Sequence, residues 1–223
     1  MAAAHGDKLA EYGLQNAPRD AFECLRFAPG EMILREGEEI SRLALVMHGR
    51  SKVCRTAANG KSLILFYYVS GGMIGEVELM GGKKTATASV VALSAFECVA
   101  VRYRHCLEQM KTNTVFLSKV GTALAGKLMR SSDSFASAAL CSGEQRLCAY
   151  ILQTANKDVF SDVLTDVSCS VGMSYRHVFR LLGRLCGEGV LKKQGGGYVI
   201  ARWDALVRRA EASSLRGGQD AAK

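Results

Sequence analysis

Between Leu25 and Val101 the apolar residues come in short runs, among them EMILRE, LALVMH, SKVCRT, SLILFYYV and FECVAVR. Glycines at 30, 37, 49, 60, 71, 72, 75, 81 and 82 separate them. Runs this short, cut by residues that tolerate tight turns, predict strands and an all-β sandwich or barrel. Ala58-Asn59-Gly60, between SKVCRT and SLILFYYV, predicts a hairpin because Asn and Gly accept positive φ. The stretch before this region is expected to form a loose tail and a short helix.

The period then changes. From Thr114 to Ala138 there is no proline or glycine-rich turn, and Leu117, Val120, Leu124, Leu128, Ser131, Phe135 and Ala138 recur at alternating intervals of three and four. That is an a/d seam on one long helix, and it needs a cover. The cover is either the helix's own domain or a second copy in a coiled coil; the second copy is the favoured reading. Gly121, Ala125 and Ser131 are small and suit close helix approach. From Gly143 the pattern reads helix (EQRLCAYILQTA), short loop, helix (TDVSCSV), turn (GMS), helix (YRHVFRLLGRLCGEG), then a hairpin from LKKQGGGYVI.

The two helices around GMS have the residue types that a helix-turn-helix requires. Val167 and Val171 would face Val178 and Leu181, with Met173 at the corner and Ser168 at the closest approach. Gly172 suits a left-handed turn, and Ser174 can cap the second helix. On a wheel of roughly 100° per residue, Arg176, Arg180 and Arg184 fall at about 0°, 40° and 80°, with His177 near 100°. Val178, Leu181, Leu182 and Leu185 lie opposite, between about 140° and 240°. One face would dock and the other would present guanidinium groups, which suits a DNA major groove, where Arg can read guanine O6 and N7. The rival is a solvated face of surface ion pairs; between 176 and 184 no acidic residue is present to form them. Phe179, at about 300°, could touch a thymine methyl or pack, and packing is the favoured reading.

Charge supports an acidic partner. The 223-residue chain has a formal net charge of +8 and a sequence pI of about 9.1. From Arg176 to Arg209 eight basic residues stand against Glu188 and Asp204, a net +6. Lys192 and Lys193, in the hairpin, suit phosphate contacts that position a protein without reading sequence. MAAAHGDKLAEYGLQ lacks the apolar core of a secretory signal, and no apolar run reaches membrane-spanning length. The eight cysteines form no CxxC pair, so reduced thiols and a cytoplasmic protein are expected, with a redox-sensing cysteine as a side possibility. No spacing points to a metal.

This order of elements, with MIGEVEL at 73–79, resembles the CRP/FNR family of bacterial transcription regulators. GMSYRH and HGRSKVCRTAANGKSL further resemble the YeiL type within it. The resemblance implies an α+β fold: an N-terminal cyclic-nucleotide-binding-type β-roll, a long dimerisation helix and a C-terminal winged helix-turn-helix. The expected bounds are 1–24 for the tail and short helix, 25–111 for the β-roll sensor, 112–139 for the dimerisation helix, 140–210 for the DNA-binding domain and 211–223 for a disordered tail. The implied DNA-binding residues are Thr165, Ser174, Tyr175, Arg176, His177, Arg180, Arg184, Lys192 and Lys193. The implied effector pocket comprises Gly75, Glu76, Ala86, Thr87, Ser131 and Ser132. Expected partners are double-stranded DNA and a second copy of the chain, with RNA polymerase as a further candidate and no membrane.

The effector stays open. In cyclic-nucleotide members Gly and Glu hold the ribose while an Arg-Ser pair holds the cyclic phosphate. Gly75 and Glu76 match, but the pair falls on Ala86-Thr87, so the phosphate loses its charge-assisted partner and tight cyclic AMP binding is not expected. Cys24 alone precedes residue 50, which argues against an N-terminal iron–sulfur cluster. Nothing in the spacing of His48 and His105 singles them out as haem ligands. The usual Arg-Glu pair of the recognition helix is Tyr175-Arg176 here, so the family's operator letters do not carry over. GGKKT at 81–85 fails as a P-loop, since Val77 stands where its first glycine belongs. No enzyme is expected. The rival function is a ligand-binding module whose C-terminal domain docks a protein.

Overall fold

The computed structural model describes residues 2–57, 60, 62–69 and 71–211. The chain divides into two compact units, Met1–Ser131 and Ser132–Lys223, with the boundary inside a long helix. Two features read from the sequence lie partly outside the described residues: Ala58 and Asn59 of the hairpin, and positions 212–223 of the tail.

Among the described residues the first unit contains eight strands: β1 (Phe22–Phe27), β2 (Met32–Leu34), β3 (Arg42–His48), β4 (Arg50–Thr56), β5 (Ser62–Val69), β6 (Met73–Ile74), β7 (Ser89–Ala92) and β8 (Phe96–Arg102). They form two antiparallel sheets with orders β1-β8-β3-β6 and β2-β7-β4-β5. β3 and β8 are almost continuously apolar because both of their faces are covered. Ala44, Val46 and Cys98 pack with Val53 and Val90 of the second sheet. The alternate positions, Leu43, Leu45, Val99 and Val101, pack on the other side against helical residues.

Those helices are α1 (Ala2–Glu11), α3 (Tyr103–Thr112) and the first half of α4 (Thr114–Leu140); the short α2 (Glu76–Met80) follows β6. Leu9, Tyr12 and Leu14 are buried with Cys106, Met110, Phe116 and Val120. The N-terminal stretch is therefore not a loose tail: its apolar residues cover a sheet face that would otherwise meet water. Asn113 joins this region together, donating from Nδ2 to the Gly13 carbonyl at 2.8 Å and accepting from the Phe116 amide at 2.9 Å.

Of the two coverings weighed for the α4 seam, its own unit covers the first part. Leu117, Val120 and Leu124 belong to the core of the first unit. Further along, Leu128 is 68% and Phe135 76% exposed, while Ser131 and Ala138 are also exposed.

The second unit holds α5 (Gly143–Thr154), β9 (Val159–Phe160), α6 (Leu164–Ser170), α7 (Tyr175–Gly187), β10 (Leu191–Gln194), β11 (Gly197–Ile200) and α8 (Trp203–Glu211). Its three-stranded sheet runs β10-β11-β9. One core unites Leu147 and Ile151 of α5, Val167 of α6, Leu182 of α7 and Leu206 of α8. The loop expected after α5 contains a two-residue hairpin turn. Lys157 and Asp158 both have positive φ, and Asn156 and Val159 exchange backbone hydrogen bonds. The turn is fixed by Trp203, whose Nε1 donates to Asp158 at 2.7 Å.

Candidate nucleic-acid interface

The helix-turn-helix is built by the residues that the pattern marked. Val167, Val171, Val178 and Leu181 are buried in one core, with Met173 partly buried against it. Gly172 has φ +64°, and the Met173 amide donates to the Ser168 carbonyl at 3.0 Å, closing the turn. The Ser168 hydroxyl donates to the Thr165 carbonyl at 2.8 Å, so a buried polar group is satisfied. Ser174 caps α7 by accepting from the His177 amide at 3.3 Å. Val178, Leu181, Leu182 and Leu185 are all buried, while Arg176, Arg180 and Arg184 are exposed.

The three arginines are not equivalent. Arg184 is ion-paired with Glu144 of α5, and its Nε lies 4.0 Å from Glu188. Arg209 of α8 approaches Glu144 at 3.4 Å and also pairs with Glu188. This corrects the expectation that the ladder lacks acidic partners: one stands four residues beyond its end and another comes from a neighbouring helix. Glu144 and Glu188, each shared by Arg184 and Arg209, therefore link α5, α7 and α8. Among the described residues Arg176 and Arg180 have no ion pair, so their guanidinium groups are available.

The neighbouring positions also sort by surroundings. His177 is half-buried and faces the start of α5; a Cβ on Gly143 would lie 3.7 Å from its Cε1. Ser142, Gly143, Glu144, His177, Arg180, Leu181 and Arg184 line one cleft of about 570 Å³. Tyr175 stacks on Phe179 with ring centroids 6.4 Å apart. Phe179 is 54% exposed, so its packing is against Tyr175 on the surface and not within the core. Thr165 is exposed on the first turn of α6. Lys192 and Lys193 are exposed on β10, which pairs with β11 as a wing.

The expected effector residues fall into two groups. Gly75 has φ +100°, and a Cβ there would come within 2.9 Å of both Ile40 and the Tyr103 hydroxyl; only glycine fits. Tyr103 donates to the Gly75 carbonyl at 3.0 Å. Glu76 is fully buried, and its Oε1 is held by the Lys127 ammonium from α4. Among the described residues Oε2 has no hydrogen-bond partner. Burial raises the Glu76 carboxyl above its ordinary value, and the charge and hydrogen bond of Lys127 oppose that rise. The α4 side chain engaging this carboxylate is thus Lys127, whereas Ser131 and Ser132 are exposed. Sequence reading missed Lys127 because nothing local ties it to a residue 51 positions away.

Thr87 donates from both its amide, at 2.8 Å, and its hydroxyl, at 2.5 Å, to the Glu78 carboxylate. Both Thr87 donors are thus taken by an anion, Ala86 offers no side-chain donor, and the Glu76 carboxylate already holds a cation.

Comparison with known proteins bears on the whole arrangement. Residues 24–113 match the cyclic nucleotide-binding domain family. The regulatory protein YeiL of Escherichia coli O157:H7 is 29% identical over 174 residues, covering 78% of this chain and 79% of YeiL. The cAMP-activated global transcriptional regulator CRP of Salmonella typhimurium is 23% identical over 180 residues, covering 75% of this chain and 84% of CRP. The solved structure of the c-di-GMP-responsive global regulator CLP of Xanthomonas campestris has a similar fold. It has a TM-score of 0.77 at 16% identity and covers 88% of this chain and 99% of CLP. No helix among the described residues is long and apolar enough to cross a membrane. The chain thus carries a domain of the cyclic nucleotide-binding type, a long helix and a capped helix-turn-helix, and it resembles CRP/FNR-type transcription regulators across most of its length.

Proposed function

We propose that the protein is a cytoplasmic regulator that binds an inverted-repeat operator as a homodimer. The observation that carries this reading is α7: a buried apolar face fixes it, and two unpaired guanidinium groups, on Arg176 and Arg180, project from the other side. These two read base edges in the major groove. Ser174, Tyr175 and Thr165 lie at the helix start and turn, where they meet phosphate or sugar, and the wing lysines Lys192 and Lys193 hold the backbone. His177 orients α7 against α5, and Arg184 acts by bracing the helix. The dimer forms through the exposed part of α4, where Leu128 and Phe135 stand one heptad apart on the seam and Met129 and Leu140 flank it, each more than half exposed. An apolar row of this length on one helix is what a second copy covers, and two recognition helices then stand about 34 Å apart, one turn of duplex.

The sensor unit works without tight cyclic-nucleotide binding, because Lys127 satisfies the Glu76 charge and Glu78 occupies the Thr87 donors. RNA polymerase is the further partner if the protein activates transcription. Affinity for an operator duplex, measured by anisotropy across a salt series, tests the reading. Log affinity should fall linearly with log salt, and Lys192→Ala should reduce the slope by about one while weakening all sequences alike. Binding that is indifferent to salt would overturn it.

A further inference from the structure

A second cluster of chemistry lies in the first unit where α1 covers the β1-β8-β3 sheet. Glu97 of β8 has Arg26 of β1 and His48 of β3 as its cross-strand neighbours, and Cys24 lies diagonally across on β1. His5 comes from α1. The Cys24 thiol donates to Glu97 Oε1 at 3.0 Å, and His5 Nε2 lies 3.5 Å from the same oxygen. The His5, Cys24 and Glu97 donor atoms all fall within 4.8 Å of one another. His48 Nε2 reaches the other carboxylate oxygen at 3.1 Å.

We propose that His5, Cys24 and Glu97 bind one divalent cation of the zinc class, with His48 as the fourth ligand. Imidazole, thiolate and carboxylate together are the donor set of zinc, which takes four ligands in a tetrahedron. With metal–ligand bonds of roughly 2.0–2.3 Å, neighbouring ligand atoms in such a tetrahedron stand about 3.4–3.6 Å apart. The observed spacings of 3.0 and 3.5 Å need only a small outward movement to admit the ion. The carboxylate is 12% exposed and the His5 side chain 18% exposed, so two ligands are sheltered. Cys24 is exposed and supplies the entry path. On binding, the Cys24 proton leaves to solvent and the thiolate takes its place on the ion. The Arg26 guanidinium, 3.4 Å from Glu97 and 62% exposed, moves outward into water. The ion would tie α1 to three strands at once, making the fit of the N-terminal helix depend on metal.

The test uses the full-length protein stripped with a chelator. Cobalt(II) is added as an optical probe, followed by zinc in competition with a chromophoric chelator. One cobalt per chain is expected, with sulfur-to-cobalt charge-transfer absorption that equimolar zinc abolishes. Cys24→Ser should remove that absorption without altering the far-ultraviolet circular dichroism. His5→Ala, on a terminal helix where loss of the side chain leaves the sheet intact, should weaken zinc by about tenfold or more. His48→Ala should do likewise, and an unchanged affinity there overturns its place as a ligand. Failure to take up one cobalt per chain overturns the site. So does absorption that survives Cys24→Ser, since it would come from another cysteine.

Discussion

Replacing Lys127 with methionine removes the cation while keeping most of the side-chain volume. It leaves Glu76 fully buried, with Oε1 stripped of its partner and Oε2 already without one. Breaking a buried pair by removing one member costs about 3–5 kcal/mol, because an uncompensated charge stays inside. The Lys127 side chain is 13% exposed, so water can partly reach the gap and the low end, about 3 kcal/mol, applies. At about 4 °C per kcal/mol for a unit of this size, melting should fall by about 12 °C near neutral pH. The pH dependence has a definite sign. Burial puts the folded-state pKa of Glu76 above its unfolded value, and losing Lys127 removes the main opposing influence. A raised carboxyl pKa means that the folded state holds the proton more tightly. The associated stability is therefore fully present below the unfolded value and is lost as pH rises through the folded one. The variant should thus be close to wild type in acid and increasingly destabilised toward neutrality. Adding Glu76→Gln should recover most of the loss. Urea denaturation followed by hydrogen exchange in β3 and β8, from acid to neutral pH, measures this. Equal stability of Lys127→Met and wild type at neutral pH, or a double variant no better than the single, would refute the buried-pair argument.

Two further outcomes follow from the geometry. Arg184→Ala should cost the second unit about 0.5–1 kcal/mol, since the pairs with Glu144 and Glu188 are half-exposed, and should leave operator preference unchanged; denaturation and binding selections check each half. Leu128→Asp combined with Phe135→Asp should convert a dimer to a monomer in analytical ultracentrifugation and lower operator affinity by about a hundredfold, because one half-site then binds without the other.

Much of the architecture was legible where local period and tertiary environment agree. The α7 wheel placed Val178, Leu181, Leu182 and Leu185 inside and the arginines outside, and the helix lies that way because one apolar stripe has one core to meet. The turn at Gly172 and the cap at Ser174 were readable for the same reason: each depends on residues at most a few positions apart. Pairings between distant residues were not legible. Lys127 meets Glu76, and Glu144 meets Arg184, only because separate elements are packed together. The N-terminal stretch looked loose because Leu9, Tyr12 and Leu14 show no long repeat, yet a sheet face needed covering. The heptad seam of α4 could not reveal that its first part is covered by its own unit and its last part left bare. Ser131 and Ser132 were assigned to the pocket by resemblance, whereas the side chain that reaches Glu76 comes from one helical turn earlier. His5, Cys24, His48 and Glu97 are spread over four elements, so no spacing could announce them.

The central claim is that α7 reads sequence through its first two arginines. Selection of bound duplexes from a random library, with wild type and Arg176→Ala side by side, tests it most directly. The wild type should yield an inverted repeat with half-sites one helical turn apart. Arg176→Ala should lose discrimination at one base pair per half-site, worth about 1–3 kcal/mol, while the other positions persist. An identical motif from both proteins, or no enriched motif from the wild type, would contradict it.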